Sequence, residues 1–524
     1  MSNVHAAPAS DCGIVARAAE SNALSAQRVR SYRSILKSSA LIGGSSMINI
    51  SIGMVRTKAM AMLLGPAGYG VMGALTMIAD LTKVVAQVGI NSSGVRQIAE
   101  SVASEDASRV AKTVVVLRRV SLVCAVVGAL ALALFSAPVA RFTFGSEGHA
   151  GSVAVLSIAV FLSVVASGQG ALLQGMRRIG DIAKLAVWGS LLGTVVGIPM
   201  VYFWGTTGIA PTLVAVAGCS ALASWWYSRQ IKTAEPALST RMVVGEAASL
   251  LKLGMAFMAS GLLTLGAAYA VRIIVLRKSG IEAAGIYYAA WTLGGLYIGF
   301  VLQALGADFY PRLVGAIKND AECNRLVNEQ AEVSLLMAAP GVLFTLTLAP
   351  LAISLFYSAE FGGAVDVLRW ICLGMALRVL TWPIGYIVVA KNRQVMFFAI
   401  ELVWSVVNVA LTWICVDAFG VVGAGIAFFA SYVFHCVVVY PIVRHLTGFR
   451  WSGTNVKTAL LCFGAMFAVC LGFHVLPSQA GLMFGLVVTA LSGFLSARVL
   501  VRLASPDRLP AAVGRLLLLR RMNR

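Results

Sequence analysis

The sequence predicts an all-α integral membrane protein of about fourteen transmembrane helices, two pseudo-twofold-related six-helix lobes followed by a C-terminal helix pair. Three observations carry that prediction. Hydrophobic residues fill 59% of the 524 positions and charged ones only 12%, too little polar surface to cover a soluble globule of this size. Apolar runs of roughly 18 to 26 residues recur along nearly the whole chain, each able to cross a hydrocarbon core of about 30 Å as a helix. They lack the period of two that a membrane β-barrel requires. Finally, landmark residues recur at a spacing of about 214 positions, the signature of a duplication.

Residues 1–38 form a leader rich in Ala and Ser that carries Arg17, Arg28, Arg30, Arg33 and Lys37 and lacks the apolar core of a cleaved signal peptide. The first lobe, 39–232, holds spans at 41–64, 69–90, 113–135, 153–173, 182–203 and 209–226. Its first two spans meet at Gly65-Pro66, and its last ends on Trp225, Trp226 and Tyr227, residues that favour a membrane–water interface. A polar linker, 233–248, leads to the second lobe, 249–445, with spans at 251–276, 283–305, 333–356, 365–390, 395–416 and 421–443. Gly374 and Pro383 make the span at 365–390 a candidate bending element. The extra pair, 456–503, supplies spans at 459–476 and 481–501, and a basic tail, 504–524, is expected to lie against anionic headgroups.

In the repeat, Arg56 matches Arg272, Gly70 matches Gly285, Gln87 matches Gln303, and Pro138 with VAVL (153–156) matches Pro350 with VDVL (365–368). Six spans per lobe is an even number, so both lobes enter the membrane the same way and the pseudo-twofold axis runs along its normal, with a cavity between them. With a cytoplasmic N-terminus, most of the 41 Lys and Arg fall in the tails and cytoplasmic connections, and only Lys58, Arg141, Arg277 and Lys278 in the opposite loops. This positive-inside bias places both termini in the cytoplasm. The net charge of +20 thus follows topology and implies no nucleic-acid partner.

Polar residues at membrane depth mark the candidate site. Arg56 stands about two turns from the end of the first span, where an arginine costs about 2.5 to 3.5 kcal/mol on insertion scales. It shares a helical face with Asn49, and Arg272 occupies the matching place in the seventh span. In the second span Thr76, Asp80, Lys83, Gln87 and Asn91 recur at steps of three and four, one stripe that can line a water-filled cavity. Glu401, Ser405, Asn408 and Thr412 repeat that pattern in the eleventh span. Asp366 and Arg369 are three apart in the tenth, whereas Arg378 lies about 180° around a straight helix from Arg369. Buried basic residues outnumber buried acids, so the lumen is cationic and suits an anionic substrate, whose phosphate oxygens guanidinium groups bind bidentately. The substrate-binding candidates are Arg56, Lys83, Arg272, Arg369, Arg378, Asn49, Gln87 and Asn91, and Asp80 and Glu401 are candidates for coupling to H+ or Na+.

Other chemistry finds no support. Nine scattered cysteines have no metal-ligand or redox spacing and read as small core residues. His435 and His474 stand singly in apolar runs and read as satisfied structural histidines. No phosphate loop, HExxH or Ser/His/Asp set appears, so neither an enzyme nor an ATP-driven engine is expected, and no cofactor or metal is called for.

LLGPAGYG (63–70), followed by VGIN (88–91), RQIA (96–99) and QGMRR (174–178), resembles the Wzx-like flippases of O-antigen and related polysaccharide repeat units, a branch of the MOP superfamily. The resemblance runs from residue 36 to about residue 445, and LLGPAGYG is its most specific element. It implies a two-lobed flippase that moves undecaprenyl-pyrophosphate-linked oligosaccharides across the bacterial inner membrane by alternating access, with the lipid-linked glycan, membrane lipids, a polysaccharide polymerase and a chain-length regulator as partners. The 35-residue leader and the pair at 456–503 depart from the twelve-helix pattern, and the pair resembles the addition found in lipid II-type flippases. A drug/cation antiporter of the MATE type shares the architecture, but a basic lumen disfavours organic cations. A non-transporting scaffold is the third alternative.

Overall fold

In a computed structural model describing residues 11–104, 106–231 and 240–503, the chain is helical with no strand among those residues. The first ten residues, residue 105, the first part of the polar linker and the basic tail lie outside the described residues. Two helices are far longer than a bilayer is thick, α1 (Asp11–Gln87) and α8 (Thr240–Gly315). Each is broken at a single glycine, Gly65 (φ 63°, ψ −178°) and Gly280 (φ 89°, ψ 174°). Such dihedrals are open to glycine and strained for other residues. These are the points where the first and second, and the seventh and eighth, expected spans join.

After α1 the chain turns at Val88 (φ 46°) and Gly89 (φ 68°) into α2 (Ile90–Ala103). Asp106 caps α3 (Ala107–Leu134) by accepting from the Ser108 and Arg109 amides at 2.8 and 3.2 Å. Then follow a short α4 (Ser136–Phe144), α5 (Ala150–Gly175), α6 (Ile179–Trp204) and, across a turn at Gly205–Gly208, α7 (Ile209–Ser228). Beyond α8 the same order returns: α9 (Asp320–Thr347), a short α10 (Ala349–Phe356), α11 (Ala364–Ala390), α12 (Gln394–Phe419) and α13 (Val421–Thr447). Pro138 and Pro350 of the repeat lie in the short α4 and α10. The helix α11 continues through Pro383. Last come α14 (Gly453–Val475) and α15 (Ser478–Leu503).

By length and hydropathy, eleven described stretches can cross a membrane. They number fewer than the fourteen expected spans because Gly44–Gln87, Ile179–Ser228 and Val244–Gln303 each carry two of them in series. The ninth span also begins earlier than its hydropathy suggests. Asn319 caps α9, and Arg325 pairs with Glu322 and Glu329 (2.5 and 2.6 Å), so the helix extends through charged residues that hydropathy assigns to a loop.

The helices α5 and α11 each bury an apolar face. Val153, Leu156, Val160 and Val164 of α5 are inaccessible, as are Val367, Leu368, Ile371 and Val379 of α11. The helices α14 and α15 lie against α9. Asn328 on α9 binds Asn455 of α14 (2.9 and 3.0 Å), accepts from the Ser452 amide (2.9 Å) and donates to the Arg450 carbonyl (3.1 Å). Near the other end of α9, Thr347 meets Thr489 of α15 at 3.3 Å.

Candidate functional site

The halves meet along α1 and α8 at two backbone contacts. A β-carbon on Gly70 would lie 2.1 Å from the Ile281 carbonyl oxygen, and one on Gly285 would lie 1.9 Å from that of Pro66. Farther along, a β-carbon on Gly89 would lie 2.0 Å from the Gly254 oxygen. Thr76, Asp80 and Lys83 occupy the stretch of α1 between these contacts.

Three of the expected charged residues, Arg56, Asp80 and Arg272, gather around Tyr288, and Lys83 lies near Asp80. The Arg272 guanidinium lies 5.1 Å from the Tyr288 ring centre, a cation–π distance. Arg56 and Asp80 are also within electrostatic reach of Tyr288, and Asp80 is within reach of Lys83 and Arg272. Gly73 makes room for the ring, since a β-carbon there would lie 2.9 Å from it. Arg56, Lys83 and Arg272 are half-buried and Asp80 is exposed. Among the described residues none of the four forms an ion pair within 4 Å, so three cations and one carboxylate are left without a charged partner in direct contact. Asn49 adds a buried side-chain oxygen without a hydrogen-bond partner.

A second group forms in the other half. Glu401 is within electrostatic reach of Arg378, and its carboxylate oxygen stands 3.8 Å from Nε2 of His435. Nδ1 of His435 and Nε1 of the neighbouring Trp404 are buried without partners, so His435 is not the satisfied core histidine its sequence context suggested. Tyr432 lies between these rings, 5.2 Å from Trp404 and 5.8 Å from His435.

Other expected lumen residues sit elsewhere. Gln87 is buried and donates to Ser167 of α5 at 2.9 Å, so it joins helices within one half. Asn91 is exposed on α2, because the break at Val88 and Gly89 ends the stripe after Gln87. Ser405, Asn408 and Thr412 are buried, and Thr412 donates to the Asn408 carbonyl of its own helix at 2.7 Å. Arg369 pairs with Asp366 (3.2 Å) and covers the Phe473 ring of α14 at 4.2 Å, facing the extra pair. Arg378, on the opposite side of α11, reaches Glu401, as the 180° separation requires.

Two basic residues read as outer-loop charges are instead reciprocal clamps. Lys58 on α1 donates to the carbonyls of Ser354 (2.7 Å) and Tyr357 at the end of α10. Arg277 on α8 donates to the carbonyls of Arg141 (2.9 Å) and Phe142 (3.0 Å) at the end of α4. Each cation satisfies carbonyls that a helix C-terminus leaves unpaired, and each complements the negative end of the helix dipole. Between the clamps Tyr69 is buried against Tyr288, Tyr357 and Phe361 at ring distances of 5.3, 5.5 and 5.7 Å. This end of the interface is sealed. Tyr288 and both clamps escape sequence reasoning, since an aromatic in an apolar run and a cation bound to distant backbone leave no spacing pattern.

Comparison with known proteins bears on this arrangement. Residues 59–366 match the family described as Polysaccharide biosynthesis protein. The Lipid III flippase of Escherichia coli (strain K12) is 22% identical over 422 residues, covering 78% of this chain and 99% of that protein. Among solved structures, the lipid II flippase MurJ in an inward closed conformation gives a TM-score of 0.66 at 14% identity, over 88% of this chain and 99% of that one. The inward-facing conformation of a multidrug resistance MATE family transporter of the MOP superfamily gives 0.63 at 16% identity, over 77% and 98%. Those two likenesses concern the fold.

Proposed function

The chain belongs to the polysaccharide biosynthesis protein family, and from that premise we propose that it is a flippase for lipid-linked oligosaccharides. The substrate in this reading is an undecaprenyl-pyrophosphate-linked unit of O-antigen or a related surface polysaccharide, moved across the bacterial inner membrane. The observation that carries it is the group of Arg56 and Arg272 around Tyr288 with Lys83 near Asp80, cations that form no ion pair among the described residues. A pyrophosphate and glycan cannot enter hydrocarbon without losing their water hydrogen bonds. Cations already held at membrane depth replace those bonds for the phosphates, while the lipid tail stays in the bilayer.

In the same reading, 39–232 and 249–445 act as two lobes that rock about the α1–α8 contact, with both termini in the cytoplasm. The Lys58 and Arg277 clamps then close the periplasmic end and must release for the cavity to open outward. Asp80 or Glu401 carries the coupling H+ or Na+. Exchanging Arg56→Ala and Arg272→Ala separately, with membrane levels verified, tests the assignment. Loss of surface polysaccharide with accumulation of lipid-linked units is expected, and undiminished polysaccharide in both variants sinks it. Drug resistance that falls with the same substitutions would favour a MATE-type antiporter instead.

A further inference from the structure

On the flank of the first half, away from Tyr288, α3 and α7 leave a groove of about 500 Å³ floored by α5. The geometry points to this groove as a binding site for the phosphate headgroup of an anionic membrane lipid. Its floor is polar and buried, with Ser121, Ser228 and Gly168 inaccessible, and its rim is exposed, with Arg118, Leu122, Trp225 and Arg229. Arg118 reaches across the groove to the Ser228 carbonyl at 3.4 Å. Arg229, next in the chain, lies over the Trp225 and Trp226 rings at 4.7 and 3.6 Å. Among the described residues neither arginine pairs with a carboxylate, and no acidic side chain lines the groove. Two guanidinium groups therefore share one opening with no counter-charge among the described residues. Oγ of Ser121 in the floor is likewise buried without a partner.

The depth of the groove fits a headgroup. It lies toward the ends of α5 and α7 and against the middle of α3, with Trp225 and Arg229 on its rim. Paired tryptophans and clustered arginines mark the membrane–water interface, and basic clefts between helices at that level take lipid phosphates. Leu122 and Trp225 on the rim are apolar and outward-facing, suited to the upper part of an acyl chain. No residue of α1 or α8 lines the groove, so it is separate from the group around Tyr288.

Native mass spectrometry of the full-length protein tests this, with phosphatidylglycerol against phosphatidylcholine as probes. Phosphatidylglycerol should be retained under activation that strips phosphatidylcholine. The R118Q/R229Q variant should retain at least fivefold less, and R118K/R229K should recover part of the loss. Equal retention of the two lipids, or an unchanged double variant, overturns the proposal. Displacement of the lipid by low-millimolar inorganic phosphate also overturns it, because the site would then read a free anion. Should R118Q/R229Q not fold, electron cryomicroscopy of the unaltered protein in phosphatidylglycerol nanodiscs must show phosphate density between Arg118 and Arg229. An empty groove there is equally fatal.

Discussion

Gly70 and Gly285, the matched glycines of the sequence repeat, touch each other backbone to backbone where the two broken helices cross. No side chain intervenes, so the two halves approach as closely as polypeptides can. Adding a methyl group to either residue has to separate α1 from α8.

G70A and G285A should each destabilise the closed arrangement by about 1 to 3 kcal/mol, the usual penalty of overpacking. Because both methyl groups push on one contact, the double variant should cost less than the sum of the singles. Thermal unfolding and cysteine cross-linking across α1 and α8 measure both quantities, and strict additivity would contradict the shared contact.

Removing a clamp should loosen the sealed end. Hydrogen bonds from a charged donor contribute about 1.5 to 3 kcal/mol, so K58A should raise the open population by about 10- to 150-fold. A cysteine at Ala289, which is fully buried under Tyr357, reports this in an otherwise cysteine-free chain. Its labelling by an impermeant maleimide should accelerate in K58A and in R277A, and labelling that stays slow in both refutes the clamp.

At Tyr288 the ring and the hydroxyl have separable roles. Y288F keeps the face beneath Arg272 and should retain transport within about threefold, whereas Y288A should lose about tenfold, consistent with cation–π energies of about 1 to 2 kcal/mol. Surface polysaccharide per unit of membrane protein is the readout.

Gln87 provides the contrasting case. Its bond to Ser167 lies within one half, so Q87L should lower stability by about 0.6 kcal/mol, the average for polar pairs between membrane helices. Transport per folded molecule should stay unchanged, and a specific transport defect in Q87L would return Gln87 to the cavity.

The pattern of these outcomes reflects what a sequence can carry. Long apolar runs, the Gly65-Pro66 break and the matched arginines were legible because length, hydropathy and repetition are local or periodic quantities. Arg56, Asp80 and Arg272 are within electrostatic reach of Tyr288, and Lys83 of Asp80. Gln87 and Asn91 misled because polarity tells that a residue needs a partner, not whether water or a neighbouring helix supplies it. Arg369 misled in the same way, its partners being Asp366 and the Phe473 ring. Lys58 and Arg277 were illegible for a different reason. Their acceptors are main-chain carbonyls in the opposite half, and every residue offers a carbonyl.

The asparagine contacts between α9 and α14 make the protein lopsided in the plane of the bilayer. Asn328 and Asn455 rivet two extra helices to the second half alone, which enlarges its perimeter against lipid and its viscous drag. If the halves rock as proposed, the lighter one should sweep the larger arc, and N328A should blur that difference before it alters the cavity.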